Sequence, residues 1–68
     1  MVNFIAQKIC EKRKENHMTQ DQLAKKTCLH RNTIINFEKG KRNPRIKDLQ
    51  NIANTLNISI SDLFSQEE

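Results

Sequence analysis

The side chains in this sequence that are best suited to chemistry are its clustered cations. Five of the nine residues from 39 to 47 are lysine or arginine, so this segment can bind phosphate groups through charge and hydrogen bonds. All 12 basic residues of the chain lie in residues 1–47 with only four acids, whereas residues 48–68 contain four acids and no base. The two parts therefore carry net charges of +8 and −4. This distribution indicates that the first part binds a polyanion, although the cluster could also be only a solubilising surface.

Four cysteine and histidine residues are the other candidates for chemistry: Cys10, His17, Cys28 and His30. Their spacing contains no Cys-x-x-Cys pair and does not fit a structural zinc site. Two cysteines are also too few for a disulfide scaffold. Cys10 is more simply a small residue of the first helix, and Cys28 is a candidate for redox sensing only if its thiol is exposed and reactive. With no nucleophile beside a base and no carboxylate pair apparent, we expect no enzyme, no metal and no cofactor.

The 68 residues are enough for one small domain, whose core is too small to enclose a large catalytic cleft. No apolar run approaches the ~20 residues that a membrane span needs, and no signal-peptide pattern is visible, so we expect a cytoplasmic protein. We expect the domain to occupy residues 1–64 and a short acidic tail to occupy residues 65–68. Nothing in the sequence implies a small-molecule ligand.

Helical periodicity predicts five helices and no strand. A first helix, with an apolar stripe that begins at Val2, ends near residues 14–16. Thr19 and Gln22 form a capping box that opens a second helix over 20–26, and a three-residue turn separates it from a third helix over 30–38. The third helix buries Ile34 and Phe37 and ends at Gly40, where the backbone can turn left-handed.

The last two helices complete the pattern. Pro44 is expected to open the fourth helix, because proline is favoured at the first helical position. This helix is expected to end at Asn57, where the backbone turns left-handed. Its apolar stripe consists of Ile46, Leu49, Ile52, Ala53 and Leu56. A second capping box, from Ser59 to Asp62, opens a short fifth helix with Leu63 and Phe64.

Two short helices three residues apart form a helix-turn-helix by spacing alone. The sequence here resembles the Cro/repressor, or XRE, family of bacterial and phage DNA-binding proteins. The resemblance covers about residues 5–64, and its most specific parts are Thr-Gln-x-x-Leu-Ala at 19–24 and Glu-Lys-Gly-Lys-x-Asn-Pro at 38–44. It implies an all-α, compact five-helix lambda-repressor-like domain, with the helix-turn-helix at helices 2 and 3. His17, Thr27, Cys28, His30 and Arg45 depart from the residue types usual in the family.

The resemblance also implies roles for individual residues. The third helix would lie in the DNA major groove and read base edges through Arg31, Asn32, Ile35 and Asn36. Phosphate contacts would come from Gln20, Lys39, Lys41, Arg42 and Arg45. Arg13 and Glu38 match a structural ion pair that links the first helix to the end of the third.

We therefore expect a homodimeric transcriptional regulator, acting as a repressor, that binds a near-palindromic operator in double-stranded DNA. The expected dimer interface consists of Ile58, Ile60, Leu63 and Phe64. A contact with RNA polymerase is compatible with this role, and a bacterial or phage-encoded, nucleoid-associated protein is implied. The alternative is an antitoxin or protein-interaction adaptor that keeps the fold but reads few or no bases.

Overall fold

A computed structural model describes residues 4–64, which form five α-helices. The helices are α1 (Phe4–Glu15), α2 (Gln20–Thr27), α3 (Arg31–Lys39), α4 (Ile46–Thr55) and α5 (Ile60–Phe64). No strand occurs within this range, so the all-helical, five-helix prediction is confirmed. Val2 of the predicted first stripe and the predicted tail at 65–68 lie outside the described residues.

One apolar core joins all five helices. α3 packs against α1 and α2, α4 packs against α2, and α5 closes the domain against α1 and α4. Burial of a large apolar side chain contributes about 1.5–3 kcal/mol, so the fully buried residues hold the helices together. These residues are Ile9, Leu23, Ile34, Phe37, Ile52, Leu56 and Leu63. Because Ile34 and Phe37 are the buried side chains of α3, the opposite side of that helix faces solvent.

Local turn chemistry sets the helix ends. In the capping box of α2, the Gln22 amide donates to Thr19 Oγ1 at 3.0 Å, and the Thr19 amide donates to Gln22 Oε1 at 2.8 Å. Left-handed backbone occurs at His17, Cys28, Gly40 and Asn57, with φ between 57° and 75°. The predicted capping box and the predicted left-handed exits at Gly40 and Asn57 are thus confirmed.

α2 is one residue longer than predicted and α3 begins one residue later. Thr27 is the last residue of α2 and is buried. Its hydroxyl donates to the carbonyl oxygens of Leu23 at 2.8 Å and Ala24 at 3.1 Å. This internal bonding removes the cost of burying a hydroxyl, which explains how threonine occupies a position that is usually apolar in the family.

The prediction that Pro44 is the first residue of α4 was wrong. Arg45, with an extended backbone, is the N-cap, so Pro44 precedes the helix rather than opening it. Ile46 is 59% exposed although it continues the apolar stripe, because the first turn of α4 extends past the edge of the core. The second capping box forms in part: the Ser59 amide donates to Asp62 Oδ2 at 3.2 Å, while the Ser59 hydroxyl pairs with that of Ser61 at 2.9 Å.

Candidate nucleic-acid interface

The turn between α2 and α3 is held from both sides. Cys28 adopts the left-handed conformation that ends α2, and the Leu29 amide donates to the Ala24 carbonyl at 3.0 Å. From α4, the Asn51 side-chain amide donates to the Thr27 carbonyl at 2.6 Å. Leu29 packs against the core, so the turn has both polar and apolar anchors. The orientation of α3 relative to α2 is therefore well defined.

The structure brings the four predicted base-reading residues together on the outward side of α3. Arg31 and Asn32 are exposed, and Ile35 and Asn36 are half-buried. Residues four apart on a helix are neighbours, so the two pairs form one stripe along the helix. Arg31 also lines an open depression with Thr19, Gln20 and Asp21 of the neighbouring helix start. A guanidinium and two carboxamides on one face offer the donors and acceptors that base edges require.

His30 caps the start of α3 with its ring. Its Nδ1 accepts a hydrogen bond from the Asn32 amide at 3.1 Å, as a serine or aspartate oxygen does in most N-caps. The sequence marks His30 as a departure from the usual cap but does not by itself reveal this bond. The signal that could have revealed it is the place of His30 just before the first helical residue.

Arg13 and Glu38 form a two-pronged ion pair between α1 and the end of α3. Arg13 Nε donates to Glu38 Oε2 at 2.7 Å and Nη2 donates to Oε1 at 3.1 Å. The third nitrogen, Nη1, donates to the Met18 carbonyl at 2.8 Å. The hydrogen bond to Glu38 raises the pKa of Arg13 above its ordinary value, while burial opposes part of that rise. The pair thus orients the C-terminal end of α3, where the basic segment begins.

Gln20 is part of the same network. Its side-chain Nε2 donates to Glu38 Oε1 at 3.0 Å, a bond between residues 18 positions apart that the sequence did not reveal. The predicted phosphate contact of Gln20 is compatible with this bond, because a carboxamide nitrogen carries a second hydrogen. The bond to Glu38 fixes where that hydrogen can point.

The predicted phosphate-binding cations surround the end of α3. All of them are exposed: Lys39, Lys41, Arg42 and Arg45. The backbone after Gly40 is tied down, because the Lys41 and Arg42 amides donate to the Asn36 carbonyl at 3.0 and 3.3 Å. The Arg42 guanidinium also lies 5.9 Å from the ring centre of Phe37. The cations are therefore carried by an ordered loop rather than by a loose one.

The predicted dimer interface needs one correction. Leu63 is completely buried in the core of its own chain, so it is not available to a second copy. The five-residue helix α5 turns Leu63 inward, which leaves the adjacent Phe64 47% exposed. Ile58 and Ile60 are half-buried against the core and retain some exposed surface.

The part of the chain that the structure describes contains no group of three or more histidine, cysteine, aspartate or glutamate residues able to hold a metal ion. None of its helices is long and apolar enough to cross a membrane. Cys10 is half-buried with its Sγ 3.7 Å from Arg13 Nη2, and Cys28 is exposed.

The chain is similar to known proteins over most of its length. A family model described as helix-turn-helix matches residues 9–63. An uncharacterized HTH-type transcriptional regulator of Archaeoglobus fulgidus is 43% identical over 61 residues, which cover 90% of this chain and 86% of that protein. The immunity repressor protein of Bacillus phage phi105 is 35% identical over 63 residues, which cover 93% of this chain and 44% of the repressor.

The fold is also similar to that of SinR from Bacillus subtilis, the master regulator for biofilm formation, in its crystal structure with DNA. The TM-score is 0.86 at 27% sequence identity, and the match covers 90% of this chain and 98% of that one. Fold, site and matches together define a small helical domain built around a helix-turn-helix. The chain belongs to the XRE-type helix-turn-helix family of DNA-binding transcription regulators, which are not enzymes. A bacterial or phage origin stays a prediction, because one of these relatives is archaeal.

Proposed function

We propose that this protein is a homodimeric repressor that binds a near-palindromic operator in double-stranded DNA. The observation that carries the proposal is the outward stripe of α3, where exposed Arg31 and Asn32 stand beside Ile35 and Asn36. The DNA complex of SinR and the name of the phi105 immunity repressor support this assignment by similarity.

In the proposed complex, α3 lies in the major groove. Arg31 pairs with guanine O6 and N7, and Asn32 or Asn36 pairs with adenine N6 and N7. Ile35, between them on the stripe, contacts a thymine methyl group. These are the contacts that discriminate between sequences.

The cations around the end of α3 hold the domain on the DNA backbone. Lys39, Lys41, Arg42 and Arg45 contact phosphates, which fix the register of α3 without reading sequence. Gln20, at the start of α2, adds an uncharged side chain that donates a hydrogen bond to a phosphate oxygen. Because each charged contact releases counterions, binding weakens steeply as salt rises.

Dimerisation is proposed because one domain of this size buries too little surface for tight specific binding. The proposed contact uses Phe64 with the exposed parts of Ile58 and Ile60, in the region that carries no lysine or arginine. Two recognition helices about 34 Å apart would then read half-sites one helical turn apart.

Selection of bound duplexes from a random library tests the proposal. Two enriched half-sites, inverted and about 10 base pairs apart, are expected. Transcription from a template carrying the selected site, with the site overlapping the promoter, should fall as protein is added. A rise instead would indicate activation, for example through contact with RNA polymerase.

The matched variants Arg31→Ala and Arg45→Ala sharpen the test, because both remove one exposed guanidinium. Only Arg31→Ala should relax the base preference, and Arg45→Ala should weaken all duplexes alike. A library that yields no enriched sequence would favour the other candidate, an antitoxin or adaptor that binds protein. That candidate is supported by the similarity of this fold to a SinR protein/SinI protein complex, in which the similar protein has a protein partner.

A further inference from the structure

The hydrogen bond that caps α3 determines which nitrogen of His30 carries the proton. Nδ1 accepts from the Asn32 amide at 3.1 Å, so Nδ1 has no hydrogen. In a neutral imidazole the hydrogen then resides on Nε2. The cap therefore leaves His30 with an N–H donor on the far side of its ring.

That donor is free to bind a ligand. His30 is exposed, and within residues 4–64 its Nε2 has no hydrogen-bond partner. The ring precedes Arg31 directly and stands at the start of α3, the helix that is proposed to lie in the groove. A capping serine or threonine has one oxygen, which stays beside the helix start, whereas histidine has a second polar atom on the opposite side of its ring.

We propose that His30 donates its Nε2–H to a phosphate oxygen of the DNA backbone while its Nδ1 caps α3. The inference rests on the proposed function. His30 stands at the end of α3 rather than on the stripe at 31, 32, 35 and 36, so it meets the wall of the groove, where the phosphates lie, and not the base edges. The same ring thus stabilises the start of α3 through Nδ1 and contacts the DNA backbone through Nε2.

A ring whose Nδ1 accepts the capping bond carries one proton and no charge, which distinguishes its donor from the neighbouring cations. A lysine or arginine contact to phosphate contributes about one unit to the salt dependence of binding. A neutral N–H contributes affinity without displacing a counterion. His30 should therefore affect affinity while leaving the slope of affinity against salt unchanged.

The test compares His30→Ser with His30→Ala, on the selected duplex and on random duplex DNA. Serine restores an N-cap oxygen and alanine does not, but neither places a donor as far from the backbone as Nε2, because the serine hydroxyl stays beside the helix start. His30→Ser should retain the thermal stability of the wild type and bind both duplexes about tenfold more weakly per half-site, with an unchanged salt slope. His30→Ala should show the same loss of binding together with a lower melting temperature.

Wild-type affinity in His30→Ser would reduce His30 to a helix cap and overturn the inference. A loss confined to the selected duplex would assign the donor to a base and overturn the phosphate contact. If the wild type shows no sequence preference at all, the proposed function fails, yet the random duplex still tests His30.

An independent readout is the nitrogen NMR spectrum of the His30 ring in the full chain at about pH 8, where an ordinary imidazole is neutral. The expected form has a bare Nδ1 and a protonated Nε2, and the Nε2 proton should become protected from exchange with water when a random-sequence duplex is added. A proton on Nδ1, or an Nε2 proton that exchanges as fast with DNA as without it, contradicts the inference.

Discussion

Replacing Arg13 with methionine tests whether the ion pair organises the domain. The side chain of Arg13 is 10% exposed and that of Glu38 is 5% exposed, so both charges are largely shielded from water. Methionine has similar length but makes none of the bonds to Glu38 and Met18. Arg13→Met therefore leaves a buried carboxylate whose remaining partner in the described structure is the Gln20 carboxamide.

The expected loss follows from that uncompensated charge. Removing one partner of a buried pair typically costs about 3–5 kcal/mol. We expect Arg13→Met to lower the free energy of unfolding by about 3 kcal/mol, at the lower end of that range. The loss is limited because Glu38 keeps the bond from Gln20 and both side chains reach the surface. A domain of this size has a free energy of unfolding of about 3–10 kcal/mol, so this loss is a large part of the total.

The double variant Arg13→Met/Glu38→Met supplies the decisive comparison. With both charges gone, no buried charge lacks a partner, and the double variant should lie within about 1 kcal/mol of the wild type. Urea denaturation followed by circular dichroism gives the three free energies. The reasoning is refuted if the double variant is as unstable as Arg13→Met, or if Arg13→Met costs less than about 1 kcal/mol.

Lys12→Met is the matched control. Lys12 pairs with Glu15 at 3.4 Å in the same helix, but Glu15 is 63% exposed. A surface pair of this kind contributes about 0–1 kcal/mol and weakens with salt. We expect Lys12→Met to lose little stability, by an amount that depends on salt, and Arg13→Met to lose much more, by an amount that does not. This difference would show that the burial of the Arg13 pair causes its larger effect.

The pKa of Arg13 determines how the stability that this residue contributes depends on pH. It is raised by the hydrogen bond to Glu38, with burial opposing part of the rise. A raised folded-state pKa gives stability that is complete below the unfolded value and is lost only as pH rises through the folded value. Both values lie in the arginine range, so the stability contributed by Arg13 protonation should be constant from about pH 6 to pH 9.

Four further predictions concern DNA binding, a turn and assembly. Arg31→Ala should cost about 1–3 kcal/mol on the selected duplex and much less on random DNA in a gel-shift titration, and equal losses would make Arg31 a phosphate ligand. Lys41→Ala should weaken binding to all duplexes and lower the salt slope by about one unit, which an unchanged slope would contradict. Gly40→Ala should destabilise the fold in urea by about 1–2 kcal/mol, because φ is 75° there, and wild-type stability would contradict this. Phe64→Asp should shift the sedimentation mass toward the monomer at micromolar concentration, and an unchanged mass would place the dimer contact elsewhere.

Local rules explain what the sequence revealed about the fold. The capping box at Thr19, the glycine exit at Gly40 and the stripe of Ile34 and Phe37 depend on residues within one or two turns of each other. Such signals can be read directly, because the partners are close in sequence. The pairing of Arg13 with Glu38 spans 25 positions and was reached only through the family resemblance.

The errors arise where tertiary packing decides between equal local choices. Leu63 and Phe64 are adjacent and both apolar, and only the docking of α5 against α1 and α4 turns Leu63 inward. Ile46 fits the stripe of α4, but periodicity cannot show where the core ends. The bond of the Gln20 carboxamide to Glu38 was missed for the same reason, because it depends on how α2 lies against α3.

Three hydrogen-bonded contacts share one consequence for binding, because each fixes a different end of the helix-turn-helix. Arg13 holds the C-terminal end of α3 through Glu38, Asn51 holds the last carbonyl of α2, and His30 closes the first turn of α3. A binding surface ordered in advance loses less entropy when the partner arrives. Variants of Asn51, which has no place in the proposed contacts, should therefore weaken binding to selected and random duplexes alike through disorder. Variants of Arg31 should instead change which sequence is bound, and this difference separates positioning from recognition.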